Sequence, residues 1–288
     1  MSRFVLVALL AVSSTMCGCA QNKDYIVTIE TKFGNMVAIL FDETPEHKKN
    51  FIKLAQTHFY DSLIFHRVIE DFMIQGGDPD SKGSSRGAKL GNGGPGYTIP
   101  AEIRPEFIHK KGMLSAARLS NEINPSKASS GSQFYIVQGR VFTSDELTTD
   151  ESVLNKGLQQ ILIKPENQSL FDTLSLLYQM GDMEAYQKMV ISLKPRIQAE
   201  TGLQLDKEID PHRLEAYTTV GGAPHLDGEY TVFGKIIQGI EVIDWIAEQP
   251  VDANNRPLDD IQMKVTVELL SKKKIEKLYG YTYEDRLQ

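Results

Sequence analysis

Cysteine is almost absent from this 288-residue chain: there are two, Cys17 and Cys19, and none follows position 19. A domain folded from the remainder can form no disulfide, so its stability must come from a packed core. Tryptophan is scarcer still, with Trp245 alone. Positive charge is in deficit, with 31 Lys and Arg against 38 Asp and Glu and a net charge of −7. The basic stripe typical of nucleic-acid binders is missing, so nucleic acid is not an expected partner. The one basic run, Lys272-Lys273-Lys274, reads as part of a solvated tail over 272–288. No apolar run reaches the roughly 20 residues that a membrane-spanning helix needs. What the chain does have is an ordinary globular composition, 41% apolar and 24% charged. Its length allows one large domain or two modest ones.

The first residues read as a targeting segment. Arg3 supplies positive charge, Phe4 to Val12 is continuously apolar, and Ser13-Ser14-Thr15 follows. That is the layout of a secretory signal peptide, here residues 1–18. Met16-Cys17-Gly18-Cys19 resembles a bacterial lipobox. The resemblance implies cleavage before Cys19 and lipidation of its sulfur, with 19–24 as a short tether. The expected location is then the bacterial cell envelope, anchored to a membrane on the periplasmic side or the cell surface.

Past the tether, strand and turn signals dominate. Tyr25–Thr31 and Met36–Phe41 alternate around the Gly34-Asn35 turn signal and predict a hairpin. Thr44-Pro45-Glu46 predicts a helix start, with Thr44 as cap and Pro45 in the first turn, and Phe51, Leu54 and Ala55 facing a core. Strands are expected within Leu63–Gln75, Gly112–Ala117, Ser132–Gln138, Thr231–Ile237 and Met263–Leu269. Gly76–Gly96 is rich in Gly, Ser and Asp; no helix start follows its glycines, so a surface loop is expected rather than a phosphate cradle. From Ser144 to about Tyr217 the apolar spacing is helical, as in Leu154, Leu158, Ile161 and Leu162, and Pro195 should end or kink a helix. Gly239–Glu248 predicts a helix on which Trp245 joins Val242 and Ile246 in the core.

Four blocks, in order, resemble the cyclophilin family. They are Tyr60-Asp61-Ser62-Leu63-Ile64-Phe65-His66-Arg67-Val68-Ile69-Glu70-Asp71-Phe72-Met73-Ile74-Gln75-Gly76-Gly77-Asp78-Pro79, Gly112-Met113-Leu114-Ser115-Ala116-Ala117, Gly131-Ser132-Gln133-Phe134-Tyr135-Ile136, and Leu226-Asp227-Gly228-Glu229-Tyr230-Thr231-Val232-Phe233-Gly234. The resemblance implies a mainly β fold: a closed eight-stranded antiparallel barrel capped by two helices, Pro45–Gln56 and Ile240–Glu248. It would be built from 25–141 and 222–271, with an α-helical insertion at 142–221. It further implies peptidyl-prolyl cis–trans isomerase activity and a site outside the barrel.

Rotation about an X–Pro bond faces a barrier of roughly 18–20 kcal/mol and takes tens to hundreds of seconds unaided. No bond breaks, so no cofactor or metal is expected; the enzyme need only favour the twisted amide. Twisting localises a lone pair on the prolyl nitrogen, and a fixed donor aimed there acts mainly in the transition state. Arg67 suits this by charge and geometry, and the family's catalytic arginine matches it. By resemblance, Phe72, Met73, Tyr135 and Leu226 would form the proline socket. Gln75 would hold substrate backbone and orient Arg67; Ala117 and Gln133 would line the neighbouring subsite, with Tyr230 beside them. His66 is read as structural, because no proton is transferred.

Several positions depart from the family's commonest pattern. Tyr135 stands where Phe is usual, Tyr230 where His is frequent, and Arg118 where Asn is common. His225 occupies the position of a Trp associated with cyclosporin binding, so weak binding of that drug is expected. The insertion enters near Tyr135 and leaves near Leu226 in sequence, which makes it either a decoration or a client-docking element. The expected partners are proline-containing unfolded or folding polypeptides of exported proteins, and the expected state is a monomer. The rival reading is a chaperone-like client-binding module with little catalysis.

Overall fold

In the computed structural model, residues 22–283 are described; the expected signal peptide and the first half of the tether, with Cys19, lie outside the described residues. The alternating segments Lys23–Thr31 and Gly34–Leu40 pair antiparallel as β1 and β2. Further strands are β3 (Leu63–Ile64), β4 (Arg67–Ile69), β5 (Met73–Gly76), β6 (Thr98–Ile99), β7 (Met113–Ala116), β8 (Ser129–Ser130), β9 (Phe134–Val137), β10 (Val232–Gln238) and β11 (Gln262–Ser271). Nine of them form one curled antiparallel sheet in the order β3-β11-β1-β2-β10-β7-β9-β5-β4, while β6 pairs with β8. The count is nine rather than eight because the stretch 63–69 divides into two short strands about Phe65 and His66. The chain forms two compact units, the sheet unit up to Gly139 and from Ala223, and a second over Arg140–Gly222.

The sheet is buried on both faces. Along β2 and the residue after it, Met36, Ala38 and Leu40 enter an inner cluster, whereas Val37, Ile39 and Phe41 enter an outer one. Period-2 geometry sends successive side chains to opposite faces, so a strand covered twice reads as an apolar run. Two helices pack on the inner cluster: α1 (Pro45–Gln56) through Phe51, Leu54 and Ala55, and α8 (Glu241–Ala247) through Val242, Ile243, Ile246 and Ala247.

Three sequence expectations need correction in this unit. Thr44 makes no side-chain cap on α1. The Glu102 carboxylate does that work instead, accepting from the Glu46 and His47 backbone N–H groups at 3.2 and 3.0 Å. It also takes His47 Nδ1–H at 2.7 Å, leaving His47 Nε2 to accept from Ser129 Oγ at 2.9 Å. Trp245 is not core: it is 45% exposed. At 100° per residue it points about 130° away from the centre of the Val242/Ile243/Ile246/Ala247 stripe. Finally, the described part of the tail, up to residue 283, is folded. Lys272–Tyr279 forms a helix, α9, capped by Ser271, and Ile275 and Tyr281 are buried in the outer cluster.

The second unit is helical: α2 (Ser144–Thr148), α3 (Glu151–Leu162), α4 (Gln168–Gln179), α5 (Met183–Ser192), α6 (Lys194–Thr201) and α7 (Pro211–Thr219). Its core is small, with Leu154, Leu158 and Ile161 of α3 against Leu174, Val190, Ile197 and Leu205. Gly157 lets α3 and α6 approach, since a Cβ there would lie 2.4 Å from Ile197 Cγ2. Pro195 opens α6, where its missing N–H costs nothing. The unit's two ends meet: Arg140 and Gly222 exchange backbone hydrogen bonds of 3.3 and 3.0 Å. Ile163, Leu176, Tyr178 and Met180 are exposed.

Candidate active site

Antiparallel register fixes which side chains share a face, because directly opposed residues point the same way. Arg67 lies opposite Gln75, Gln75 opposite Tyr135, and Tyr135 opposite Ser115. One row of side chains therefore crosses β4, β5, β9 and β7. Met73, two residues before Gln75, shares its face, whereas Ile74, Phe134 and Ile136 point into the inner cluster. The reversal between β4 and β5 uses Asp71 at φ 60°, whose N–H donates to Gln138 Oε1 at 2.7 Å.

Along that row runs a polar relay. Arg67 Nη1 donates to Gln75 Oε1 at 3.2 Å, Gln75 Nε2 donates to Gln133 Oε1 at 3.1 Å, and Gln133 Nε2 donates to the Gly93 carbonyl at 2.7 Å. A guanidinium can only donate, so it sets the direction of both amides behind it. Arg67 is half-buried, and that burial pulls its pKa below the usual arginine value, with Tyr230 opposing. It stays cationic, since arginine starts so high. Among the described residues it has no carboxylate partner, so its remaining donors are not committed to a salt bridge.

Beside the relay lies apolar and aromatic surface. Met73, Tyr135 and Leu226 are buried members of the outer cluster, and Phe72, Ala117 and Tyr230 pack partly buried against it. Tyr135 and Tyr230 meet edge-on at 5.8 Å. His109 stacks on Tyr135 at 6.1 Å and is held by Asp227 Oδ1, which accepts its backbone N–H at 2.8 Å and lies 3.0 Å from its Nδ1. Burial pushes the Tyr135 phenol well above its ordinary pKa, so the ring is neutral. Phe72 sits 5.2 Å from the exposed His225 ring. Ala117 N–H donates to the Gln133 carbonyl at 3.0 Å.

The structure thus joins Arg67, Gln75 and Gln133 by hydrogen bonds, and gathers Phe72, Met73, Ala117, Tyr135, Leu226 and Tyr230 in one cluster. Cys19 lies outside the described residues. His66, next to Arg67, is buried, and neither ring nitrogen has a hydrogen-bond partner. Burial brings its pKa down to about 4; Asp78 pulls up, Arg67 and Arg256 push down, and the nearby Ile64 backbone pulls up weakly without meeting hydrogen-bond geometry.

Other contributors carry little or no sequence signal. Gly93 acts through its carbonyl, which any residue has. Arg118 was visible as a departure, but not its contacts. Its side chain, 4% exposed, stacks over Tyr230 at 4.5 Å, and donates to the Glu229 carbonyl at 2.8 Å and to Glu229 Oε2 at 2.9 Å. Among the described residues, no group of three or more His, Cys, Asp or Glu side chains is arranged to hold a metal ion, and no helix is long and apolar enough to cross a membrane.

A family model covers more than half of the chain. The model for "Cyclophilin type peptidyl-prolyl cis-trans isomerase/CLD" matches residues 26–154 and 206–267, leaving 155–205 of the helical unit unmatched. A Staphylococcus epidermidis protein described as "Putative peptidyl-prolyl cis-trans isomerase" is 29% identical over 242 residues, covering 84% of this chain and 90% of its own. A Streptococcus pyogenes protein described as "Putative bifunctional phosphatase/peptidyl-prolyl cis-trans isomerase" is 29% identical over 238 residues, 82% of this chain; those residues span only 37% of that longer protein. Among solved structures, a Cryptosporidium parvum cyclophilin-type isomerase aligns with TM-score 0.48 and 22% identity over 85% of this chain and 98% of its own.

Proposed function

This chain belongs to the cyclophilin-type peptidyl-prolyl cis–trans isomerase family and is an isomerase, and from that premise we propose that Arg67 drives rotation of X–Pro bonds held in a socket of Phe72, Met73, Tyr135 and Leu226. The observation that carries this reading is the uncommitted Arg67 guanidinium, fixed by the Gln75–Gln133–Gly93 relay on the same face as Met73 and Tyr135. The proline ring enters the apolar cluster. The bound amide is held by Gln75 and by main chain around Ala117 and Gln133, with Tyr230 closing the side. As the amide twists, Arg67 donates to the pyramidalising nitrogen. That bond exists only in the transition state, so it raises the rate rather than merely the affinity. Reaching milliseconds from about 100 s requires about 7 kcal/mol, shared between this donor and the preference of the socket for the twisted form.

Our reading extends to setting. The sheet closes into a barrel: β3 and β4, at opposite ends of the strand order, are consecutive in the chain, and Phe65 and Val68 donate to the Ile261 and Asn255 carbonyls at 3.0 and 2.7 Å. The protein is a lipid-anchored monomer of the cell envelope, modified at Cys19, that serves exported polypeptides. It binds cyclosporin weakly, because His225 offers less apolar surface than an indole.

The test is exchange NMR on a short X–Pro peptide with the full chain and with Arg67→Ala. Fast cis–trans exchange that falls at least a hundredfold in the folded variant supports the mechanism. Unchanged exchange in Arg67→Ala would refute it. No acceleration by folded wild type would instead favour a client-holding module, a reading to which the exposed Leu176, Tyr178 and Met180 of the helical unit lend weight.

A further inference from the structure

The helix α9 turns a basic face to solvent. Ile275 is its buried anchor, and at 100° per residue Lys273 and Lys277 project about 160° and 200° away from it. Lys274 flanks them, 3.8 Å from Glu268, and Glu276 lies on the opposite flank. Lys272 turns inward, 4.6 Å over the Tyr283 ring and 4.0 Å from Asp42. Lys23, exposed at the start of β1, pairs with Ser271 immediately before the helix. Leu278, 55% exposed, projects on the Lys274 side of the helix. Residues 272–288 hold five Lys and Arg against three Asp and Glu in a chain of net charge −7. The Lys272 backbone N–H donates to the Asn22 carbonyl at 2.9 Å, so α9 begins beside the start of the described chain. Cys19 precedes Asn22 by three residues, and extended chain spans at most about 3.5 Å per residue, so the two can lie no more than about 11 Å apart.

We propose that the Lys273/Lys274/Lys277 face of α9, with the bordering Leu278, docks on an anionic phospholipid surface. The inference rests on the reading that Cys19 carries lipid, which would hold the start of α9 within about 11 Å of a bilayer, close to the Debye length. A basic patch beside a lipid anchor is a two-signal arrangement, in which the lipid supplies attachment and the lysines supply orientation and preference for anionic headgroups. Each lysine near such a surface contributes about a fivefold gain in partitioning.

The experiment uses the full-length chain with Cys19→Ala, so that the result does not depend on lipidation. Co-sedimentation compares vesicles of phosphatidylcholine alone with vesicles containing about one-third phosphatidylglycerol. A preference for the anionic vesicles, reduced about a hundredfold when Lys273→Gln, Lys274→Gln and Lys277→Gln are combined and suppressed by added salt, supports the proposal. Equal partition into both vesicles, or a preference that survives the triple substitution, overturns it. So does retention by a single-stranded oligonucleotide without any vesicle preference, which would assign the face to nucleic acid. Isomerase activity and Trp245 fluorescence should be unchanged in the triple variant, which confirms its fold. The anchor is tested separately: mass spectrometry of the wild type from bacterial membranes should show an acyl increment that Cys19→Ala loses.

Discussion

Mild acid should loosen the sheet unit, and His66 carries a separable share of the effect. Its folded pKa is about 4, because burial disfavours the charged ring, against an ordinary value of 6.5. The neutral ring is therefore favoured by folding. As pH falls below 6.5, the unfolded chain takes up a proton that the folded chain refuses, so stability is lost progressively. The loss levels off near pH 4, where the folded protein also protonates. At pH 5 the solution stands 1.5 units below the unfolded value, which corresponds to about 2 kcal/mol of lost stability relative to pH 7.5. His66→Leu keeps the volume, cannot titrate, and removes two unpaired buried nitrogens. Its stability at pH 7.5 should therefore hold or rise. The assay is urea unfolding followed by fluorescence of Trp245, the sole tryptophan, which lies on α8 of the sheet unit. His47, also buried with a lowered pKa, contributes equally to both proteins and cancels in the comparison. If wild type and His66→Leu lose stability in parallel, within about 0.5 kcal/mol, the reasoning fails. An imidazole midpoint near 6.5 in a ring-proton NMR titration would refute it as well.

Removing the Arg118 side chain strips the stack from Tyr230 and two donors from Glu229; Arg118→Ala should raise KM for an X–Pro peptide several-fold with kcat nearly unchanged, whereas a fall in kcat alone would contradict a positioning role. Glu102→Ala deprives the first turn of α1 of its acceptor and leaves His47 Nδ1–H without one. Urea unfolding should show a loss of about 2–4 kcal/mol, and a loss below about 0.5 kcal/mol would mean that water caps the helix equally well.

The sequence patterns that proved legible are those governed by local rules. Alternation around Gly34-Asn35 gave β1 and β2, and the neighbours Met73, Ile74 and Gln75 divide between faces as any strand requires. The ordered motifs contain Arg67, Gln75 and Gln133, which hydrogen bonds join, and Phe72, Met73 and Tyr135, which share one cluster, although neither alternation nor helical spacing would have separated Phe72 and Met73 from ordinary core. Long-range partners stayed hidden. Thr44-Pro45-Glu46 has the look of a self-capped helix, yet the cap arrives from Glu102, more than fifty positions away. Trp245 looked like core by hydrophobicity alone, but the helix phase set by Val242, Ile243 and Ile246 left it outside. The lysine run concealed a helix because a single buried residue, Ile275, anchors it. The Gly93 carbonyl had no signature at all.

The bridge between Arg140 and Gly222 has a bearing on how quickly this chain reaches its native topology. β10 must find β7, with Val232 opposite Ser115, across the whole helical excursion. If the helices form first and clasp their own ends, the segment still to be closed shrinks from about 117 residues to about 35. The entropic barrier to that pairing then falls by about 1 kcal/mol, or roughly fivefold in rate. Order of events would thus decide whether eighty extra residues delay the strands or leave their search almost as local as in a chain that never had them.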